Sequence, residues 1–391
     1  MATGVYVSIK EQKDLDVVYQ VMRGEISSKD AAFRINKSYR QTMRIIEKVQ
    51  KKGLLGIKHG NLNKRPSNKT ADDFKFTVLK IYQEKYFDHN LIHALEKLKN
   101  NHGYCVSYET FRIWAHSINL VKRRHKRVKP RIHKTRPRMP RSGMMLQLDG
   151  SHHDWLGNGI KPVLIANIDD ATSTCCYAEF FPAEDRIAVL SVMKATVEKF
   201  GVPEYLYVDQ AACNGKDGIF RKHSNYYQHI TDLERAMLAL GCRVLFAHSP
   251  QAKGRVERMW NTFQDRLIPE LRCENITRIP SANIYLKKNF VPDFNLRYAK
   301  PAVDPGTSWK PIPEHLKNNL TEIFCIKEYR RVSPGETISW QGTEYVIEHN
   351  FIHSLRKMTI ELRTYLDGTI KAFYAGQEVK LEESTIKILA A

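Results

Sequence analysis

Ser249-Pro250-Gln251-Ala252-Lys253-Gly254-Arg255-Val256-Glu257-Arg258-Met259-Trp260-Asn261 is the stretch from which the rest of the chain can be read. Ser249 is placed to cap a helix, and Pro250 suits its first position, where no backbone donor is needed. Behind them Val256, Trp260, Phe263 and Leu267 recur at helical spacing and make one apolar face. Glu257 sits one step round, at the edge between that face and solvent. Asn261 and Gln264 fall on its side, and Arg255 and Arg258 flank it. A carboxylate at the rim of a core helix, among cations and amides, suits a site that holds a metal against a polyanion. A solvated surface charge would have the same local sequence, so the rest of the chain has to decide.

Two stretches upstream end in an acid. Met144-Met145-Leu146-Gln147-Leu148-Asp149 reads as a strand, and Tyr205-Leu206-Tyr207-Val208-Asp209 repeats the design. Two strands ending in Asp and a later helix carrying Glu make a three-carboxylate constellation. The words LQLDGSHHDW, YVDQAACN and SPQAKGRVERMWNTFQDRL resemble those of the integrase and transposase superfamily, and within it the bacterial insertion-sequence transposases of the ISNCY group. The resemblance runs over residues 20–380. It implies an RNase H-like catalytic core with a metal-binding Asp-Asp-Glu (DDE) triad at Asp149, Asp209 and Glu257. The spacing between the last two acids is longer than in retroviral integrases, which implies an insertion within residues 211–231.

The chain has 391 residues, room for two to four domains with sizeable cores. Its net charge of +20 is unevenly placed: residues 1–142 hold 32 Lys and Arg against 12 Asp and Glu, and residues 143–391 hold 30 against 30. Such asymmetry marks a dedicated polyanion-binding region in the N-terminal third. Seven cysteines occur with no CxxC pair, so neither a disulfide scaffold nor a zinc ribbon is indicated. His89 and His93 lack the paired cysteines that would complete an integrase-type zinc domain. With no signal peptide and no apolar run long enough to span a bilayer, the expectation is a reduced, cytoplasmic, nucleoid-associated bacterial protein that makes no use of a membrane.

Residues 14–52 read as three short helices, at 15–22, from Ser27 or Ser28 to about 35, and at 39–51 behind Ser38. Tyr39, Met43, Ile46 and Val49 are expected inward on the last one, with Arg40, Gln41, Arg44 and Lys48 outward. Short helices ending in a basic one are the helix-turn-helix pattern, whose last helix enters the major groove; a plain three-helix bundle is the alternative. After linker chemistry at 59–70, helices at 72–85, 89–101 (capped by Asp88) and 108–119 (capped by Ser107) suggest a second such unit. Phe111, Trp114 and Ile118 form its expected stripe, and Thr110, Arg112, Ser117 and Asn119 its polar positions. Residues 122–142 hold 11 Lys and Arg, three prolines and no acid. This is an extended arm suited to lie along DNA, with Arg123, Arg124, Lys126 and Arg127 on phosphates.

From residue 143 strands and helices alternate as β-β-β-α-β-α-β-α, the order of an RNase H-like fold: a hairpin meander followed by parallel additions. Asp169-Asp170 is expected to make a turn, and Asp154 is a candidate to support the metal ligands from behind. His152, His153 and His248 are possible ligands or proton carriers, though ordinary surface or core positions suit them better. Helical pieces over 267–297 and a proline-rich connector at 301–313 lead to alternating segments with hairpin signals at Asp367-Gly368 and Ala375-Gly376. The expected fold class is therefore an α/β RNase H-like core, preceded by all-α helix-turn-helix domains and followed by a small all-β barrel resembling SH3-like integrase domains. The boundaries are 1–62, 66–121, 122–142, 143–300 and 320–391.

Gathered carboxylates repel one another unless a cation intervenes. Two Mg²⁺ ions, with Mn²⁺ as a substitute, suit such oxygen ligands. The resemblance then implies a DNA transposase that frees 3′ ends at an insertion sequence and joins them to target DNA. It implies double-stranded DNA as partner, a dimer or tetramer on that DNA, and Lys253, Arg255, Arg258, Asn261 and Gln264 lining it. A DNA-binding regulator derived from a transposase, or a stand-alone RNase H-type nuclease, are the alternatives.

Overall fold

In a computed structural model of the protein, residues 7–59, 61, 69–121, 136–208, 230–246 and 254–383 are described. The chain divides into two compact units, Met1–Phe76 and Thr77–Ala391.

In the first unit α1 (Ile9–Met22), α2 (Ser28–Arg34) and α3 (Tyr39–Lys52) are each capped by a serine, Ser8, Ser27 and Ser38. Helix α1 starts earlier than the apolar pattern suggests, because Ser8 and Glu11 form a reciprocal capping box ahead of the first buried residue. Leu15 and Val18 pack on Ile46 and Val49. The inward stripe of α3 is Thr42, Ile46 and Val49. Tyr39 and Met43 do not join it: they are 53% and 41% exposed. Thr42 can take the inner place because its hydroxyl donates to Ser38 O at 3.1 Å, so no polar group is stranded.

The division between units falls inside α4 (Asp72–Lys85). Helices α5 (Leu91–His102) and α6 (Tyr108–Ser117) follow, in the same unit as everything downstream. The cap of α5 is Asn90, not Asp88, and Gly103 ends it in the left-handed conformation at φ 72°. Phe111 and Ala115 form the inner face of α6, with Phe111 edge-on to Tyr82 at 5.2 Å. Trp114 is half-buried and Ile118 exposed, because the helix ends at Ser117 and Ile118 falls beyond its last turn.

Five strands build the core sheet: β1 (Met145–His152), β2 (Val163–Asp169), β3 (Cys175–Phe181), β4 (Tyr205–Val208) and β5 (Arg243–Phe246). Their order is β3-β2-β1-β4-β5. The first three are antiparallel, and β4 and β5 are added parallel. Helices α7 (Arg186–Phe200) and α8 (Asp232–Ala239) share one core with Leu146 and Leu148 of β1. On the other face α9 (Gly254–Cys273), α10 (Ile279–Tyr285) and α11 (Val291–Tyr298) bury Val256, Trp260, Phe263 and Leu267. Phe263 sits edge-on to both Phe290 and Phe294, each at 4.9 Å.

Helix α9 also holds α5 and the turn before it. Glu96 takes a two-pronged contact from Arg266 and a second cation from Arg297. Asp88 pairs with Arg272 at 2.7 Å. His93 Nε2 lies 2.9 Å from Glu270 Oε1, which is shared with Lys97. Burial alone would raise the Glu270 carboxyl, but His93, Lys97 and the Tyr285 hydroxyl together hold it down at about 2. Through these contacts α5 forms one body with the core.

After the connector and the short helix α12 (Leu320–Ile323) come β6 (Ile326–Arg331), β7 (Thr337–Trp340), β8 (Thr343–Glu348), β9 (Thr359–Thr364), β10 (Ile370–Tyr374) and β11 (Gln377–Glu383). They form an antiparallel sheet of order β6-β9-β10-β11-β8-β7, nearly closed by the approach of its two edge strands. Ala375 and Gly376, at φ 48° and 81°, make the tight β10–β11 turn that the sequence signals.

Candidate active site

Alternation along β1 sorts its side chains. Leu146 and Leu148 face α7, whereas Gln147, Asp149 and Ser151 meet α9. Trp260 Nε1 donates to Asp149 Oδ2 at 2.9 Å, and Gln264 Nε2 approaches Ser151 Oγ at 3.4 Å. Val256 N donates to Gln147 Oε1 at 3.3 Å, which seats the first turn of α9 against the middle of β1. Glu257, the next residue, is exposed one turn ahead of Trp260, while Asp149 is half-buried. Trp260 is itself packed against Trp155 and Phe263, so the donor that holds Asp149 has little freedom.

The third expected acid, Asp209, lies outside the described residues, as do Lys253, His248, the capping pair Ser249-Pro250 and Arg123, Arg124, Lys126 and Arg127 of the basic segment. Val208 ends the described part of β4, whose Tyr207 is paired with Gln147 of β1. Among the described residues no group of three His, Cys, Asp or Glu side chains is gathered as a metal site.

Arg258 and Asn261 are exposed on the outer side of α9. Arg255 is engaged instead: its Nη1 lies 2.9 Å from Asp170 Oδ1 and its Nη2 donates to Arg136 O. Burial lowers its guanidinium below the usual value, and only Asp170 opposes that among the surrounding cations. Arg136, Arg138 and Arg141, read from the sequence as part of an extended arm, bind the core: Arg136 to Asp170, Arg138 to the carbonyls of Asp170 and Ala171, and Arg141 to Asp304. Asp169 makes the expected turn by accepting from Thr172 N, and it also holds Gly143 N at 2.7 Å.

Asp154 is engaged by its own loop. Its carboxylate accepts the backbone N–H groups of Asn158 and Gly159 and shapes that loop. His152 pairs with Glu184, and His153 accepts from Asp154 N. Burial pushes the Cys175 and Cys242 thiols up to about 12, which removes them as nucleophiles near neutral pH. In the first unit Arg40, Gln41, Arg44 and Lys48 are all exposed, with Gln41 closing the capping box of α3. Arg112 on α6 is paired with Glu109 of its own helix.

No family model matches the chain. It is similar to the candidate transposase y4bF of Sinorhizobium fredii, at 28% identity over 96% of this chain and 81% of that one. It is also similar to the transposase of insertion sequence IS1202 of Streptococcus pneumoniae, at 25% identity over 93% and 84%. Among solved structures, the magnesium-bound HTLV-2 integrase catalytic core matches at 15% identity over 38% of this chain and 88% of that one, with a TM-score of 0.27. A simian T-cell lymphotropic virus intasome with the PP2A subunit B56 gamma matches at 14% over 79% and 100%, with a TM-score of 0.33. These two likenesses are faint and add nothing to the strand order observed directly. Over nearly its whole length the chain is thus similar to proteins named as transposases, and its core sheet has the order 3-2-1-4-5, an antiparallel meander with two parallel additions, as expected from the sequence.

Proposed function

We propose that the protein is a DDE transposase that binds the ends of an insertion sequence in double-stranded DNA, cleaves there to free a 3′-hydroxyl and transfers that strand into target DNA. The observation that carries this reading is the bond from Trp260 Nε1 to Asp149 Oδ2, one helical turn after the exposed Glu257. It brings the helix bearing one expected acid onto the strand bearing another. Asp209, next in the sequence after Val208, is the third member of the proposal.

Carboxylate oxygens are the donors that hard cations take, so Asp149, Asp209 and Glu257 fit Mg²⁺ or Mn²⁺ and would hold two ions. Bound there, such ions supply positive charge to both the attacking and the leaving oxygen of an in-line displacement at phosphorus. Trp260 keeps the Asp149 carboxylate aimed, and Arg258 and Asn261 offer a cation and an amide beside Glu257 for the DNA backbone. The exposed Arg40, Gln41, Arg44 and Lys48 on α3 are the proposed end-binding face of a helix-turn-helix. Strand transfer of two ends to one target calls for two active sites, and each chain has one proposed triad; a dimer or tetramer on DNA follows.

Asp149→Asn, Asp209→Asn and Glu257→Gln are each expected to abolish Mg²⁺-dependent end cleavage and joining while end binding persists in a gel-shift assay. Cleavage retained by one of them removes that residue from the triad. Nicking without joining would favour a nuclease, and binding without either a regulator.

A further inference from the structure

Asp170 follows β2 directly and is fully buried, yet groups from three parts of the fold converge on it. Gln147 Nε2 donates to Oδ1 at 2.8 Å, Arg255 Nη1 lies 2.9 Å from the same oxygen, and Arg136 donates there too. Met139 N donates to Oδ2 at 2.8 Å, and the backbone N–H of Asp170 donates to Met145 O. Gln147, equally buried, spends its amide oxygen on Val256 N. A buried carboxylate is costly unless paired and hydrogen-bonded, so this one has a strongly preferred arrangement of donors. Its partners sit at telling places. Gln147 lies on β1 two residues before Asp149, and Arg255 and Val256 immediately precede Glu257.

We propose that Asp170 is a positioning residue: through Gln147 and Arg255 it sets the first turn of α9, and hence Glu257, in register with Asp149. Arg255 accordingly serves this carboxylate rather than the DNA. Arg136 brings the end of the basic segment to the same anchor. The inference rests on the roles proposed above for Asp149 and Glu257. Its physical content is that reacting groups tolerate little displacement, since a shift of about 1 Å can cost roughly 100-fold in rate. Groups that orient metal ligands are worth about 10- to 100-fold in metal affinity or activity.

The test uses the full chain with Asp170→Asn, which keeps the shape and removes the charge, and Arg255→Lys, which keeps a cation but loses the fork. Hydrogen exchange reads the amides at the start of α9 without metal or DNA. Mg²⁺ titration of end cleavage and gel-shift affinity for end DNA complete the set. Expected for both variants are faster exchange confined to the first turn of α9, a half-saturating Mg²⁺ concentration raised about 10- to 100-fold, and unchanged DNA affinity. If Asp170→Asn does not fold, Arg255→Lys carries the test, because its side chain lies at the edge of the cluster. Wild-type exchange and metal dependence in a folded variant overturn the proposal. So does loss of DNA affinity in Arg255→Lys with metal dependence intact. Glu257→Gln in the same assay separates the two levels: cleavage retained there breaks the active-site reading, whereas cleavage lost there beside an unaffected Asp170→Asn breaks only the positioning role.

Discussion

The trios α1–α3 and α4–α6 are written in the same local grammar and are used differently. Each has short helices, serine or asparagine caps and a last helix with polar residues on its outside. In the first, the cations of α3 are exposed, and no ion pair to Arg40, Arg44 or Lys48 is found among the described residues. In the second, Arg112 is paired within its own helix, and the acids Asp88 and Glu96 are bound by arginines of α9 and α11. A helix trio with cations left over is suited to a polyanion. A trio whose charges are answered by a neighbouring helix is suited to bracing that neighbour, here the helix that carries Glu257.

The largest effect that would break this contrast is on DNA affinity. Replacing Arg40, Gln41, Arg44 and Lys48 together by alanine should abolish end-specific binding, at about 1–3 kcal/mol for each side chain that reads a base edge. Loss of three phosphate-directed cations would flatten the salt slope by about 3. Arg112→Ala should change neither. An equal loss in Arg112→Ala, measured by gel shift at several salt concentrations, would make α6 a second reader.

Acid should act on the second trio and spare the first. Burial and the neighbouring His93 push His89 down to about 4, against the opposing pull of Asp88. The folded value lies below the unfolded one near 6.5, so the neutral ring contributes stability at neutral pH. That contribution is lost as pH falls from about 6.5 through 4, on the order of 3 kcal/mol in all. Glu270 adds a further loss below the usual carboxylate range, since its folded value is about 2. Asp88 and Arg272 face the same ring and keep their charges through this window. Hydrogen exchange at pH 7 and 4.5 should show α5 opening while α3 is unchanged; equal loosening of both would dissolve the distinction.

A smaller effect follows from Glu96. Its replacement by alanine leaves Arg266, itself buried, without its main partner. Because Glu96 is partly solvated, the expected cost is about 1–3 kcal/mol rather than that of a fully buried pair. It would be read as a drop in melting temperature with end binding intact. By contrast Arg23→Ala, which breaks the exposed Arg23–Glu25 pair of the first unit, should leave melting unchanged.

Much of this was legible in the residues. The apolar stripe of α9, the serine caps and the glycine turns of the last sheet are local signals with fixed periods, whereas the strand read as ending at Asp149 runs on to His152, because its pairing with β2 continues past the acid. The Asp170 cluster was not legible beyond its turn, because its donors come from residues 136, 139, 147 and 255 and only folding brings them together. The bracing of α5 was hidden for the same reason: Glu96 and Arg266 are 170 residues apart. The arginines at 136–141 read as free arm because composition counts charge and cannot count partners.

One misreading was local, and it gives the smallest and cleanest prediction. Helix α3 offers two apolar stripes, 39-43-46-49 and 42-46-49, which share Ile46 and Val49 and differ in whether Tyr39 and Met43 or Thr42 completes the face. The second is the one adopted, because the Thr42 hydroxyl is satisfied by Ser38 O. Tyr39 and Met43 are therefore on the outside, among Arg40 and Arg44. Met43→Ala should then change stability by no more than about 0.5 kcal/mol, whereas Ile46→Ala should cost about 2–5 kcal/mol. If α3 enters the major groove, an exposed Met43 has thymine methyl groups as its natural apolar contact, and Met43→Ala should lower end preference without lowering general DNA affinity. A large loss of stability in Met43→Ala would return the first stripe to the core and rotate the proposed cationic face with it.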